Sequence, residues 1–434
     1  MTSIANPEIA HRFAELHPPF TPQQAVIEAN RCLYCWNAPC AAACPTHIDV
    51  PKFIKKISSG NLRGAALTIF DANILGSSCA RVCPVDVLCE GACVLNAYNR
   101  EPIAIGLLQR FATDTFRSGG DSTLPRLAAP ARTLRVACIG AGPASLSCAA
   151  ELARRGHSAV IFEARPLAGG LNTYGVAEYK LRALHAVQEV EFVQSLGVEI
   201  RCGEYVGPDR LRQLAAECDA VFLGLGLGKM ERLGIPGENL DGVVDALRFI
   251  ADYKTAQTIP VGRRVVVVGA GNTAIDAANA ARRLGAEEVI TLYRRTVREM
   301  PAFLYEYEHA KRHEVDFQWL VRPTRILGQD GHVAGIECVR LTPEFETIAG
   351  SEFIIFCDML IPAIGQSRAF ELLSGIAGLE ISGGAVAVDR PTGRTGNPKF
   401  YAGGDIVNGG REVVDAVADG KRAALAIIGS ASNA

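Results

Sequence analysis

The sequence predicts an α + α/β protein: an N-terminal helical domain, then two parallel-sheet nucleotide-binding domains, the second inserted in the first. Three observations predict it. Residues 1–117 carry apolar side chains at helical spacing, as in VPKFIKKISSGNLRGAALTIF and PIAIGLLQRFATDTFR, the pattern of helices that bury one face. Beyond residue 134, short β-rich runs alternate with Ala-rich helical stretches, the order of a parallel sheet with crossover helices. Two of those runs, RVACIG at 135–140 and RVVVVG at 264–269, open into glycine turns, the start of a Rossmann-like fold.

Bulk properties agree. A chain of 434 residues exceeds the roughly 250–300 at which one hydrophobic core stops growing, so two or three domains are expected. Composition is that of a soluble globular protein, 49% hydrophobic and 21% charged, and a formal net charge of −2 leaves no nucleic-acid footprint and no acidic tail. No apolar run reaches the ~18 residues of a membrane-spanning helix. The start, MTSIANPEIAHRF, lacks the charged-then-apolar pattern of a signal peptide. A cytoplasmic location without membrane contact is the expectation.

The helical domain is defined by its cysteines. Eight of the 14 lie between Cys32 and Cys93. They form two quartets, Cys32-x2-Cys35-x4-Cys40-x3-Cys44-Pro and Cys79-x3-Cys83-Pro-x4-Cys89-x3-Cys93. In a reducing compartment clustered thiols serve metal or redox chemistry more often than disulfides. Zinc sites usually pair C-x2-C units across a longer loop. Ferredoxin runs set cysteines in quick succession with a proline after one, as after Cys44 and Cys83 here. Iron–sulfur clusters are the favoured reading and zinc the alternative. Spacing alone assigns one cluster to each quartet. The six scattered cysteines read as buried small hydrophobes. The polar stretch RSGGDSTLPRLAAPART, from Arg117, reads as a linker.

The first glycine turn is Gly140-Ala141-Gly142-Pro143-Ala144-Ser145, followed by a helix and the strand AVIFEA. Its glycines permit a tight turn and let the backbone approach a pyrophosphate at the helix N-terminus. The third fingerprint position is Ser145, so helix–strand packing must absorb a hydroxyl. Glu163 ends the second strand 23 residues after Gly140, where a carboxylate meets an adenosine ribose. The second turn is Gly269-Ala-Gly271-Asn272-Thr273-Ala274. No acid ends its second strand; Arg294 and Arg295 stand there, with Arg298 close by. Guanidinium groups pair with a 2′-phosphate that an acid would repel, which favours NADPH over NADH. A solvated basic strand end is the bland alternative. Near the C-terminus, Tyr401-Ala-Gly-Gly404-Asp405 is a short strand ending in glycines and one acid, with a long helix after it. Such an acid suits the polyol chain of a flavin. The expected division is 1–128, 129–250, an inserted 251–365, and 366–434.

With these residues in view, the sequence resembles the dihydropyrimidine dehydrogenase family, in particular the flavoprotein subunit of its bacterial two-subunit form. The resemblance runs from Cys32 through PTHIDVPKFI, LGSSCARVCPVDVLCEGAC, IAIGLLQRF, GAGPASLSCA, GGLNTYGVAEYKL, GAGNTAID and YAGGDIV. It implies two [4Fe-4S] clusters wired across the quartets: Cys32, Cys35, Cys40 and Cys93 on one, Cys44, Cys83, Cys89 and Gln109 on the other, with Cys79 spare. It implies FAD on Gly140 to Ser145, Glu163, Gly170, Leu171, Lys180, Val206 and Asp405, and NAD(P)H on Asn272 to Ala274, Arg294, Arg295 and Arg298. It further implies an electron-input subunit that oxidises NAD(P)H at FAD and relays single electrons to an FMN-containing partner that reduces uracil or thymine, within a hetero-oligomer. Glutamate synthase small subunits and the large subunit of electron-bifurcating ferredoxin–NADP oxidoreductases are similar to this chain as well. A zinc-stabilised redox sensor is the non-enzyme alternative.

Overall fold

The computed structural model describes residues 7–119, 123–125, 132–255, 261–368, 370–373 and 375–432. Much of the 117–133 linker, with the boundary expected at 128, lies outside the described residues. The chain divides into two compact units. One takes Leu16–Asn172, Leu184–Leu227 and Arg368–Ala434; the other takes Thr173–Ala183 and Gly228–Ser367 with the residues up to Glu15.

Strands are numbered along the chain. The first four are β1 (Arg135–Ile139), β2 (Ser158–Glu163), β3 (Glu199–Cys202) and β4 (Ala220–Leu223). Then come β5 (Arg264–Val268), β6 (Glu288–Tyr293), β7 (Val315–Trp319), β8 (Val321–Gln329), β9 (His332–Arg340), β10 (Phe353–Phe356) and β11 (Met359–Pro362). The last are β12 (Ile381–Ser382), β13 (Ala385–Val386) and β14 (Phe400–Ala402).

In the first unit, the N-terminal part is helical over Pro22–Asn30, Val50–Ser58, Leu62–Ala72, Gly76–Val82 and Ile105–Ser118. Their starts are written in the sequence. Thr21 and Gln24 form a capping box, Asp49 accepts from the Lys52 amide, and Asn61 accepts from the Gly64 amide. The nucleotide fold that follows is a parallel sheet in the order β14-β4-β1-β2-β3. Its central strands are buried on both faces, so they read as unbroken apolar runs.

One continuous core joins the helices to the sheet. Ala66, Phe70, Leu75 and Phe116 pack with Val136, Cys138, Leu146 and Phe192. The rings of Phe70, Phe116 and Phe192 lie 5.0–6.2 Å apart. Polar ties reinforce it: the buried Glu189 carboxylate accepts from both the amide and the hydroxyl of Ser78, and Arg154 pairs with Asp71 at 3.0 Å.

The second unit holds a parallel sheet in the order β11-β5-β6-β7 and an antiparallel one in the order β10-β9-β8. The antiparallel sheet was not anticipated by the periodicity. Its β8–β9 turn is nonetheless explicit: Asp330 and Gly331 both adopt positive φ, 52° and 83°, as a tight Asp-Gly hairpin requires. Beneath the helix Asn272–Leu284, Lys180 lies buried between Asp276, at 2.6 Å, and Glu306, at 2.8 Å. Tyr179 donates to Asp276 at 2.7 Å. The Lys254 ammonium, lowered by burial to about 8, donates to the carbonyls of Val176 and Leu181. Among the described residues no helix is long and apolar enough to cross a membrane.

Candidate cofactor sites

The cysteines between 32 and 93 are all free thiols. They gather in two neighbourhoods that cut across the sequence quartets. Burial raises the Cys32 and Cys40 thiols, Cys40 to about 11, and charge on Cys93 opposes ionisation of both, as does that on Cys35. Cys93 therefore sits with Cys32, Cys35 and Cys40. Cys83 is pushed up by its hydrogen bond with Cys79, by burial, and by Cys89 and Cys44. Cys89 is raised by burial, then by Glu90 and Cys44. The helices over 50–72 return the chain so that Cys44 comes within electrostatic reach of Cys83 and Cys89.

Thiols crowded in this way resist deprotonation one by one. A bound metal cluster removes that resistance by supplying cationic iron, so the donor set fits such a group. Among the described residues no three His, Cys, Asp or Glu side chains converge on the single point of a lone metal ion. Cys79 is buried and accepts from Asn73 Nδ2 at 3.2 Å, a partner suited to a thiol outside the ligand set. Gln109 is buried on the helix Ile105–Ser118. Its Nε2 donates to the Gly76 carbonyl at 2.7 Å. That bond fixes the amide, whose Oε1 is a neutral oxygen.

At the first glycine turn, Gly140 has φ 86° and a Cβ there would lie 2.6 Å from the Gly224 carbonyl; only glycine fits. Glu163 accepts from the amides of Ala141 and Arg165, both at 2.8 Å, and keeps lone pairs for ribose hydroxyls. The helix Pro143–Arg154 has Gly142 as N-cap with no side-chain cap. A Cβ on Gly142 would meet nothing within 4 Å. Its first-turn amides, at Ala144 and Ser145, thus face an open position that suits a pyrophosphate. Gly170 packs directly on Gly142, 2.8 Å from an added Cβ to the Gly142 Cα, and Gly404 approaches Ala144. Leu171 opens the short helix Leu171–Tyr174, and Val206 is buried in one core with Ile139 and Phe162. Asp405 follows Gly404; burial raises its carboxyl, and it accepts from the Arg411 amide. Ser145 is fully buried with an unpartnered hydroxyl. Room for it comes from Gly224, where a Cβ would lie 2.2 Å from Ser145 Oγ. Lys180 alone of the residues assigned to FAD belongs to the other unit, engaged with Asp276 and Glu306.

The second turn repeats the design. Gly269 has φ 135° and a Cβ there would lie 2.2 Å from the Ala363 carbonyl. Gly271 caps the helix Asn272–Leu284 without a side-chain bond; the Ala274 amide turns back to the Gly271 carbonyl at 2.9 Å, which leaves the first-turn amide of Thr273 to face a ligand. Asn272 Oδ1 accepts from the Phe303 amide at 3.1 Å. Arg294, Arg295 and Arg298 are exposed at the end of β6. A capping box between Thr296 and Glu299 fixes the turn that carries them. Sequence reasoning missed Asp276, Glu306 and Lys254, whose burial no pattern announced.

Residues 9–120 match the family model described as dihydropyrimidine dehydrogenase domain II, 4Fe-4S cluster. Residues 134–420 match that of pyridine nucleotide-disulphide oxidoreductases. The chain is 36% identical to the glutamate synthase [NADPH] small chain of Escherichia coli K12, over 96% of this chain and 93% of that one. It is 35% identical to the NAD-dependent dihydropyrimidine dehydrogenase subunit PreT of Escherichia coli O157:H7, over 95% and 96%. In fold it is similar to Mycobacterium tuberculosis FprA in complex with NADPH, with a TM-score of 0.55 at 20% identity, over 70% of this chain and 85% of that one. The chain belongs to the family of NAD(P)H-dependent iron–sulfur flavoprotein oxidoreductases that takes in the dihydropyrimidine dehydrogenase flavoprotein subunits and the glutamate synthase small chains.

Proposed function

We propose that the chain is the electron-input subunit of a cytoplasmic dihydropyrimidine dehydrogenase. In this reading NAD(P)H, with NADPH favoured, is oxidised at FAD, and single electrons pass through two [4Fe-4S] clusters to an FMN-containing partner subunit. That partner reduces uracil or thymine to the 5,6-dihydropyrimidine. The observation that carries the reading is Gln109, a buried amide held by the Gly76 carbonyl; the resemblance to dihydropyrimidine dehydrogenase asks for a neutral oxygen ligand at this residue.

Bound FAD supplies the conversion between two-electron hydride chemistry and one-electron carriers. The protein's share is binding and orientation. Cys32, Cys35, Cys40 and Cys93 would hold one cluster, and Cys44, Cys83, Cys89 and Gln109 the other. The helix N-terminus at Gly142 would bind the flavin pyrophosphate and Glu163 its ribose. The helix N-terminus at Gly271 would bind the nicotinamide pyrophosphate, and Arg294, Arg295 and Arg298 a 2′-phosphate. A second reading, electron input to glutamate synthesis, is favoured by the 36% identity to glutamate synthase small chains.

Anaerobic co-purification of the tagged chain from its own host tests the reading. The expected result is a brown protein with flavin absorbance, about eight irons per chain, and an FMN-binding partner identified by mass. A large amidotransferase-type partner would overturn the pyrimidine reading in favour of glutamate synthesis.

A further inference from the structure

The cysteine-rich domain carries a groove that neither nucleotide site uses. Its volume is about 770 Å³, and Tyr34, Cys35, Trp36, His47, Lys52 and Lys55 are among its lining residues. Trp36 is fully exposed. An exposed Trp on its own is ordinary, but with exposed Leu33 three residues before it and a groove beside it the apolar surface is of the kind that marks an interaction site, and Trp is among the side chains enriched at binding hot spots. Leu33, 55% exposed, lines a second pocket that shares Cys35. Apolar surface therefore flanks that cysteine on both sides.

This surface is held rigid. Tyr34 and His47 both adopt left-handed backbone, φ 50° and 51°, a conformation unfavourable for side-chain-bearing residues. Tyr34 is kept there by its hydroxyl, 3.1 Å from both the Ala29 carbonyl and Ser58 Oγ. The Lys55 ammonium sits 4.8 Å from the centre of the Tyr34 ring, so a cation is fixed at the groove wall. Just past the turn at Tyr34, Cys35 is half-buried in the groove lining and Trp36 is exposed.

The charge is one-sided. Lys52 and Lys55 are exposed on the helix Val50–Ser58. Asp49, the acid in the lining, is engaged as that helix's N-cap. Lys56 turns away to Gly64 and Thr68.

We infer that this groove is the seat of an electron-accepting protein, one whose contact surface has an apolar centre and an acidic rim. Cys35 lines the groove, so a redox centre on Cys32, Cys35, Cys40 and Cys93 lies beneath the docked partner. The inference rests on the reading above only in giving Cys35 a cluster. Trp36 supplies the apolar anchor, and Lys52 and Lys55 steer the acidic rim into register.

The test uses anaerobically purified holoprotein and an acidic [4Fe-4S] ferredoxin as the probe acceptor. Binding of the probe is measured directly, beside reduction of the chain's own centres by NADPH with no acceptor present. Trp36→Ala is expected to weaken probe binding at least tenfold. Lys52→Glu with Lys55→Glu is expected to weaken it tenfold at low salt and to flatten its salt dependence. Reduction by NADPH should stay unchanged in both. Probe affinity within twofold of wild type in the charge-reversed variant overturns the inference, as does a wild-type chain that does not bind the probe or that buries Trp36 in a dimer of itself. If Trp36→Ala loses iron, the charge-reversed variant decides alone. A chain that binds the probe but holds no iron sinks the cluster reading and leaves the docking surface standing.

Discussion

Replacing Lys180 with methionine keeps the length of the side chain and removes its charge. The ammonium lies 2.6 Å from Asp276 and 2.8 Å from Glu306, and the three side chains are only 5–8% exposed. Without it two carboxylates face each other in a dry site. Deleting one partner of a buried pair costs about 3–5 kcal/mol. Part of that is recovered when Glu306 takes up a proton, for burial already raises its carboxyl above the ordinary 4.5. The lower end, about 3 kcal/mol, lowers the melting temperature of a unit this size by about 6–12 °C. The sign with pH follows. In the variant the folded state binds more protons than the unfolded one, so the loss grows as pH rises from 4.5 through the raised pKa of Glu306 and shrinks as pH falls. Calorimetry of the variant and wild type from about pH 5 to pH 8 measures both effects. Lys180→Met with Glu306→Gln should recover part of the loss. A melting temperature within about 2 °C of wild type, with no trend in pH, would refute the reasoning.

Gln109→Cys would put a thiolate where a neutral oxygen ligand is proposed and should lower the midpoint potential of one cluster; an unchanged or higher midpoint in a redox titration would count against Gln109 as a ligand. Arg294→Glu with Arg295→Glu places acids where a 2′-phosphate would sit, and should cut the kcat/KM preference for NADPH over NADH by about tenfold or more; a preserved ratio would make these arginines a solvated strand end. Gly224→Ala drives a methyl to within 2.2 Å of Ser145 Oγ and should destabilise by about 1–3 kcal/mol. Adding Ser145→Gly should restore part of that in denaturant unfolding, and no rescue would place the clash elsewhere.

Both nucleotide folds were legible because their signals are local. A β-rich run, a glycine turn and an Ala-rich helix lie within about 30 residues, and the structure forms β1 and β5 where RVACIG and RVVVVG announce them. The antiparallel sheet was harder to see. Of its strands, β8 and β9 carry charged and apolar residues in no clean alternation, since one face of that sheet is only partly covered. The cysteines were legible in kind but not in grouping. Spacing counts neighbours along the chain, whereas the helices over 50–72 bring Cys44 to Cys83 and Cys89. Lys180 entered only as a residue that the resemblance puts on FAD. Its burial depends on Asp276 and Glu306, nearly 100 or more positions away, and no periodicity carries that.

The shared core of the first unit bears on the route electrons would take. Single-electron transfer falls off steeply with separation, so a relay needs its centres held at fixed spacing rather than on hinged domains. Domains joined only by a polar interface move against each other by default. Here the helices that frame the cysteines and the strands that frame the first glycine turn bury the same side chains: Phe70 and Phe116 from the helical part, Val136 and Leu146 from the sheet and its helix. Glu189 reaches from the nucleotide fold to the start of the helix that carries Cys79, and Arg154 reaches back to Asp71. A contact of this kind behaves as a domain interior, close-packed and unable to slide without opening cavities. The sequence division between a helical domain and a nucleotide domain is therefore a division of topology and not of mechanics. The cysteines and the helix N-terminus at Gly142 belong to one compact unit with a shared core, the arrangement that the proposed relay would need.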